Sequence, residues 1–195
     1  MTSLILKNIS NHIALTEKEE KHFSELLLPK SVKKKQLLLE EQETAKHAAF
    51  VTSGCMRAYS IDYNGFEHIL QFAPADWWIT DMYSFISGKK GNLFIDAVED
   101  SELLLLSRKD QLQLFNDIPK FERYFRILTE KSLVSSRQRL MDNLSMTAQE
   151  RYENFCNYYP TLIYTLPQKM IASYIGVTPE FLSKMKGTLI RESKK

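Results

Sequence analysis

Cysteine is scarce in this chain: Cys55 and Cys156 are the two present, far apart and outside any pairing motif. That excludes a disulfide framework and fits a reducing cytoplasm. Four thiolates are not available, so a cluster held by four cysteines is excluded as well. A run of 18 or more apolar residues is missing, as is a basic-then-apolar segment at the N-terminus. Neither a membrane-spanning helix nor a secretory signal is expected, and the chain reads as soluble and cytoplasmic with no membrane partner. Strong charge of either sign is lacking too, since the net charge is +2. That is too little for a protein coated in basic residues. His-x-His pairs are absent; the candidates for a metal set are His47, Glu67 and His68, and Glu67 and His68 alternate to opposite faces of a strand. No metal, resident cofactor or catalytic residue is expected.

What is present is enough apolar material, 44% of 195 residues, to bury a real core in one or two domains. Charge is unevenly placed. Residues 145–195 carry 7 Lys and Arg against 4 Asp and Glu, which leaves 19 against 20 for residues 1–144. The C-terminal part is the modestly basic one, as expected of a segment that alone meets phosphates. It contains LPQKMIASYIGVTPEFLSKMKGTL, residues 166–189. Ile171, Ala172 and Ile175 have the spacing of one short amphipathic helix; Leu182, Met185 and Leu189 have that of a second. Pro167 suits the first turn of the first helix, and Gly176 the sharp turn that ends it. Thr178 as N-cap and Pro179 at the first helical position restart the chain as a helix. The pattern is a helix-turn-helix.

With its apolar residues turned inward, the second helix presents Glu180, Ser183 and Lys184 elsewhere. Glu180 and Lys184 are four apart and share a face. In a major groove a Glu accepts from the cytosine amino group and a Lys donates to guanine O6 and N7. Thr178 and Thr188 suit phosphates, as do Lys186, Arg191, Lys194 and Lys195. An exposed Glu180–Lys184 ion pair on an ordinary helical hairpin is the plainer alternative.

Upstream, Thr16 and Glu19 form a capping box for a short helix with Phe23, Leu26 and Leu27 on one face, ended by Pro29. From Val32 the period shortens: VKKKQLLLE, HAAFVTSG, CMRAYSID, FEHILQF, LFIDAVED and SELLLLS read as strands. Asn64-Gly65 signals a type I′ hairpin with two positive φ angles. Lys33–Lys35 reads as a solvated strand edge that discourages edge pairing. Residues 30–108 make one antiparallel β sandwich or roll. A long helix follows from Pro119 to about Asn143, with more apolar surface than one β domain needs. Phe121, Phe125 and Leu128 fill one stripe; Ile127, Val134 and Met141 a second; Leu133, Leu140 and Leu144 a third. Ser132, Ser135 and Ser136 allow close approach of another helix. A homodimer through this helix is expected, against the alternative of packing wholly on its own β domain. Asp142–Ser145 breaks the pattern as a hinge, and Thr147 with Glu150 caps a new helix.

A β domain, long helix, hinge and helix-turn-helix in this order resemble the bacterial cyclic-AMP-receptor/Fnr (Crp/Fnr) family of transcription regulators over nearly the whole chain. QKMIASYIGVTPEFLSKMK matches the family's DNA-binding signature at Gln168, Ala172, Gly176, Leu182 and Met185. Glu180 and Lys184 fall where the family places base-reading residues. The resemblance implies an α+β fold: an antiparallel, cyclic-nucleotide-binding-like β-roll over residues 1–118, a dimerisation helix over 119–144, and a winged helix-turn-helix over 145–195. The six residues after Leu189 are too few for the usual β-hairpin wing, so a truncated wing is expected. Double-stranded DNA and a second copy of the chain are the implied partners, with RNA polymerase a further candidate.

PADWWITDMYSF falls at the family's phosphate-binding cassette, but departs from it. Ile79-Thr80-Asp81 stands where the family carries a Gly-Glu pair for the ribose, which Asp81 could hydrogen-bond, and no Arg lies between Arg57 and Arg108. Lys89 and Lys90 lack the bidentate fork that grips a phosphate. These departures argue against cyclic AMP. Trp77, Trp78, Tyr83 and Phe85 are candidates to line a pocket for an apolar or aromatic effector, or else fill the core. A sensing module acting through protein partners and a cupin-like metalloenzyme are the alternatives from other classes.

Overall fold

Helical structure begins earlier than the sequence suggests. Ile5 and Ile9 stand one turn apart on α1 (Ser3–Ser10), which has no side-chain cap and is held by burial of both. The expected capping box, Thr16 with Glu19, starts α2 (Glu17–Glu25). That helix stops before Pro29, which lies instead within β1 (Leu28–Val32), opposite Leu104. An edge strand tolerates a residue without an N–H. The VKKKQLLLE run is cut by a turn, with Lys35 at φ 68° and the Gln36 amide donating to the Lys33 carbonyl, before β2 (Leu37–Leu39). Lys33–Lys35 is therefore a turn and not a strand edge. Asp100 holds it, accepting from Lys33 Nζ at 2.8 Å and from the Lys34 amide at 2.9 Å.

β3 (His47–Ser53), β4 (Cys55–Ile61), β5 (Glu67–Pro74), β7 (Phe94–Ala97) and β8 (Ser101–Ser107) follow the expected runs. Between β5 and β7 stand β6 (Trp78–Ile79) and α3 (Met82–Ser87), neither of which the sequence announces. The β4–β5 turn is wider than expected. The Asp62 amide donates to Phe66, the Gly65 amide donates back to Asp62, and only Gly65 takes a positive φ, 81°. Asp62 organises the loop by accepting from the Asn64 and Phe66 amides and pairing with His68. The remaining helices are α4 (Arg108–Asp117), α5 (Lys120–Ser145), α6 (Ala148–Tyr158), α7 (Leu162–Thr165), α8 (Gln168–Ile175) and α9 (Pro179–Glu192).

A computed structural model describes residues 2–192, with side chains through Leu189. Lys194, Lys195 and the Arg191 side chain, expected at phosphates, lie outside the described residues. The chain forms two units: one runs to Ser60 and resumes over Leu70–Lys131, the other takes Ile61–Ile69 and the residues from Ser132 onward. In the first, two four-stranded antiparallel sheets, β1-β8-β3-β6 and β2-β7-β4-β5, form a jelly-roll-like β-roll. Four consecutive leucines in β8 are explained by two cores. Leu103 and Leu105 face the interior between the sheets, with Val51, Met56 and Ile95. Leu104 and Leu106 face the opposite way, onto α1, α2 and the start of α5, where Phe23, Phe121 and Tyr124 gather. Each such leucine contributes about 1.5–3 kcal/mol of burial. The second unit carries the hairpin residues 61–69 and the C-terminal helices. The expected hinge at Asp142–Ser145 is helical; the interruption is confined to Met146 and Thr147, where Thr147 and Glu150 form their capping box.

Candidate nucleic-acid interface

The turn between α8 and α9 forms for local reasons. Gly176 takes the left-handed conformation, φ 73° and ψ 41°, which a Cβ would disfavour. Its amide caps the last carbonyls of α8, and the Val177 amide donates to Ala172 at 3.0 Å. Thr178 accepts from the Phe181 amide at 3.2 Å, and Pro179 opens α9, both as expected. Pro167 sits one place earlier than expected, as the residue before α8 in extended geometry. Ala172 and Leu182 are fully buried, with Ile171, Ile175 and Phe155 beside them in burial. Truncating Leu182 to Ala would cost about 2–5 kcal/mol.

That core consumes one side of α9 and leaves the other free. Gln168, Thr178, Pro179, Glu180, Ser183, Lys184 and Thr188 are all exposed. Among the described residues no ion pair joins Glu180 to Lys184. Lys186 departs from expectation. It is half-buried, with its ammonium 5.7 Å from the centre of the Tyr152 ring on α6, a position better suited to packing than to a phosphate. Phe181, for which the sequence carries no functional signal, is 51% exposed and lines one groove with Lys184.

Two further residues had no signal in the sequence. Arg139 on α5 donates from Nη2 to the carbonyls of Ile69, at 2.7 Å, and Tyr174, at 2.8 Å, with its guanidinium 3.9 Å over the Tyr174 ring. Burial pulls its pKa down, though a guanidinium keeps its proton. Ser173 on α8 donates to the Glu67 carbonyl at 2.6 Å and accepts from the Ile69 amide at 3.0 Å. The hairpin residues and α8 are thus clasped. Arg151 adds a cation at the α8 C-terminus, where the helix dipole favours one, donating to Ile175 at 2.9 Å.

The residues expected on the dimer surface divide along α5. Phe121 is fully buried and stacked on Phe23, ring centres 4.8 Å apart, so it is closed to a second copy. Phe125 and Leu128 pack against the same core, Phe125 touching Trp78, Phe115 and Tyr124. Ser132 is exposed, and Ser135 donates to the Tyr158 hydroxyl at 3.2 Å. The apolar side chains left in solvent lie further on: Leu133, Val134, Leu140, Met141 and Leu144.

In the β-roll, Trp77, Trp78 and Phe85 pack on the core between the sheets. Trp78 Nε1 donates to the Tyr124 hydroxyl at 3.0 Å, which in turn donates to Asn8 at 2.8 Å. Tyr83, Lys89 and Lys90 are turned to the surface. The seven side chains expected around an effector therefore do not converge. Asp81 is buried and caps α3, accepting from the Ser84 amide at 3.0 Å. Among the described residues no group of three His, Cys, Asp or Glu side chains can hold a metal, and no helix is long and apolar enough to cross a membrane.

Residues 29–117 match the model of the cyclic nucleotide-binding domain. No curated protein matches the chain by sequence. Among solved structures, the c-di-GMP responsive global regulator CLP of Xanthomonas campestris aligns at TM-score 0.74 and 13% identity, over 91% of this chain and 93% of that one. FixK2 of Bradyrhizobium japonicum aligns at 0.73 and 21%, over 86% of each chain. A protein of Eubacterium rectale described as a transcriptional regulator of the crp/fnr family aligns at 0.71 and 17%, over 91% of this chain and 85% of that one. The shared fold is α+β: a cyclic nucleotide-binding-like β-roll followed by helices that include the helix-turn-helix.

A cyclic nucleotide-binding domain implies a cyclic phosphate, and the residues here do not fit one. A Cβ built on Gly91 would lie 2.1 Å from Asp81 Oδ2, so this carboxylate fills the space beside the Gly91 backbone. Arg57 is committed to Asp96 through Nε at 2.7 Å and Nη2 at 2.9 Å, both residues buried. Arg108 donates to Gln111 and lies over the Phe85 ring. A buried phosphate without a matched cation, and beside a buried carboxylate, is unfavourable.

Proposed function

We propose that the chain is a DNA-binding transcription regulator, engaging a palindromic operator as a homodimer, and that its β-roll answers to an effector other than cyclic AMP. In this reading residues 1–118 sense, 119–144 pair and 145–195 read DNA. One observation carries it: the apolar side of α9 is spent on the core, while Glu180, Ser183, Lys184 and Thr188 stay exposed. A helix fits the major groove, where the Lys184 ammonium donates to guanine O6 and N7 and the Glu180 carboxylate accepts from a cytosine amino group. Thr178 and the first N–H groups of α9 take phosphates, which set register without reading sequence. The exposed stripe from Leu133 to Leu144 supports pairing of two copies. The crp/fnr-family transcriptional regulator among the similar solved structures supports the same role.

A dimer would bring two α9 helices to successive major grooves, about 34 Å apart. Selection from a random duplex library should therefore enrich an inverted repeat with half-site centres ~10 base pairs apart. If no sequence is enriched over bulk DNA at low salt, the reading fails.

A further inference from the structure

Phe181 is a large apolar side chain in the first turn of α9, with half its surface in solvent. Its backbone is anchored there, the amide donating to Thr178 Oγ1. Lys184 and Thr188 lie three and seven positions on, the spacing of one helical face, and line with it a groove of about 320 Å³ closed on one side by Gln149 of α6. The ring has no hydrogen-bonding group. Base edges in a major groove offer one apolar feature, the thymine C5-methyl.

We infer that Phe181 reads a thymine methyl in each half-site, at a base pair neighbouring the one that Lys184 reads. The inference rests on the DNA-binding reading and adds to it a contact that selects by burial and not by hydrogen bonding. A buried methyl-sized group is worth about fourfold in affinity. Selectivity for thymine over cytosine at that position then comes from the methyl, since the phenyl ring cannot sense the exchange of O4 for an amino group.

The test is a cycle between side chain and methyl. Each thymine of the selected operator is replaced in turn, in both half-sites, by deoxyuridine, which lacks only the methyl. Dissociation constants are measured by fluorescence anisotropy for the unaltered protein, Phe181→Ala and Phe181→Leu, with thermal midpoints recorded for all three. One thymine per half-site should cost the unaltered protein about fourfold on loss of its methyl. Phe181→Ala should be indifferent to that loss, and Phe181→Leu should keep part of it. Equal sensitivity in the unaltered protein and Phe181→Ala overturns the inference, as does indifference of the unaltered protein at every thymine. If Phe181→Ala does not fold, the Phe181→Leu comparison decides by the same criterion. Failure of the unaltered protein to bind any duplex overturns the DNA reading itself, and this inference with it.

Discussion

Lys184 and Lys186 share a charge and a helix, yet they meet different surroundings. Lys184 is exposed, whereas Lys186 lies over the Tyr152 ring. Lys184→Ala should cost roughly 1–3 kcal/mol on the preferred operator and relax the preference at one base pair per half-site. Competition binding at fixed salt checks this; an unchanged ranking of operator variants would make Lys184 a phosphate ligand. Cys55 differs from Cys156 in the same spirit, being 1% exposed. Burial first, then the charge of Glu99, push its thiol up to about 12. The folded value lies above the unfolded one, near ~8.5. Stability from the neutral buried thiol is therefore complete below that pH and is lost as pH rises toward about 12. At neutral pH a disulfide reagent should label Cys156 in the native protein and reach Cys55 only through opening of the β-roll. Immediate labelling of both would mean that this core is not closed.

Helix α5 changes character along its 26 residues, from Phe121 and Tyr124 in full burial to Leu144 at 76% exposure. Val134→Glu with Met141→Glu should turn a dimer into a monomer by light scattering while leaving circular dichroism unchanged. Phe125→Glu should act differently, lowering the thermal midpoint, because its ring packs on Trp78, Phe115 and Tyr124. A monomeric unaltered protein at micromolar concentration would remove the homodimer. Periodicity located α5 and its apolar stripes but did not say which stripe its own domain would claim, since that depends on where α1 and α2 pack. Strands were legible wherever apolar runs had turn residues between them. Elements with little apolar signal were not: α4 buries only Gln111 and Leu114, and β6 is two residues long. Asn64-Gly65 marks where the chain turns but not the turn type, because the Asp62 side chain competes for the loop amides.

At the scale of the molecule, the order of β-roll, long helix and helix-turn-helix was readable because each has its own apolar period. The turn of the candidate site was readable as well, since Gly176 and Thr178-Pro179 act through the local backbone. Its supporting shell was not, because Arg139 and Ser173 look like any surface Arg and Ser until the fold brings them to α8. The cassette follows the same rule. Its missing Arg was visible in the sequence, whereas the use of Asp81 as a helix cap against Gly91 was not. Calorimetry should detect no cyclic AMP binding tighter than roughly millimolar, about −4 kcal/mol. A micromolar constant would mean that Lys89 or Lys90 can supply the cation and that Asp81 leaves its cap.

The Ser173 hydroxyl gives the Ile69 amide a partner on a helix. Ile69 is thus a strand residue whose protection from deuterium is set by α8. Its amide should exchange on the clock of the helix-turn-helix, in step with Ala172 and Ile175, and lag or lead the β-roll amides as that module does. Ser173→Ala should free this one amide selectively. A single resonance in the β4–β5 hairpin would then report, without any label on the DNA-reading helices, how often they let go.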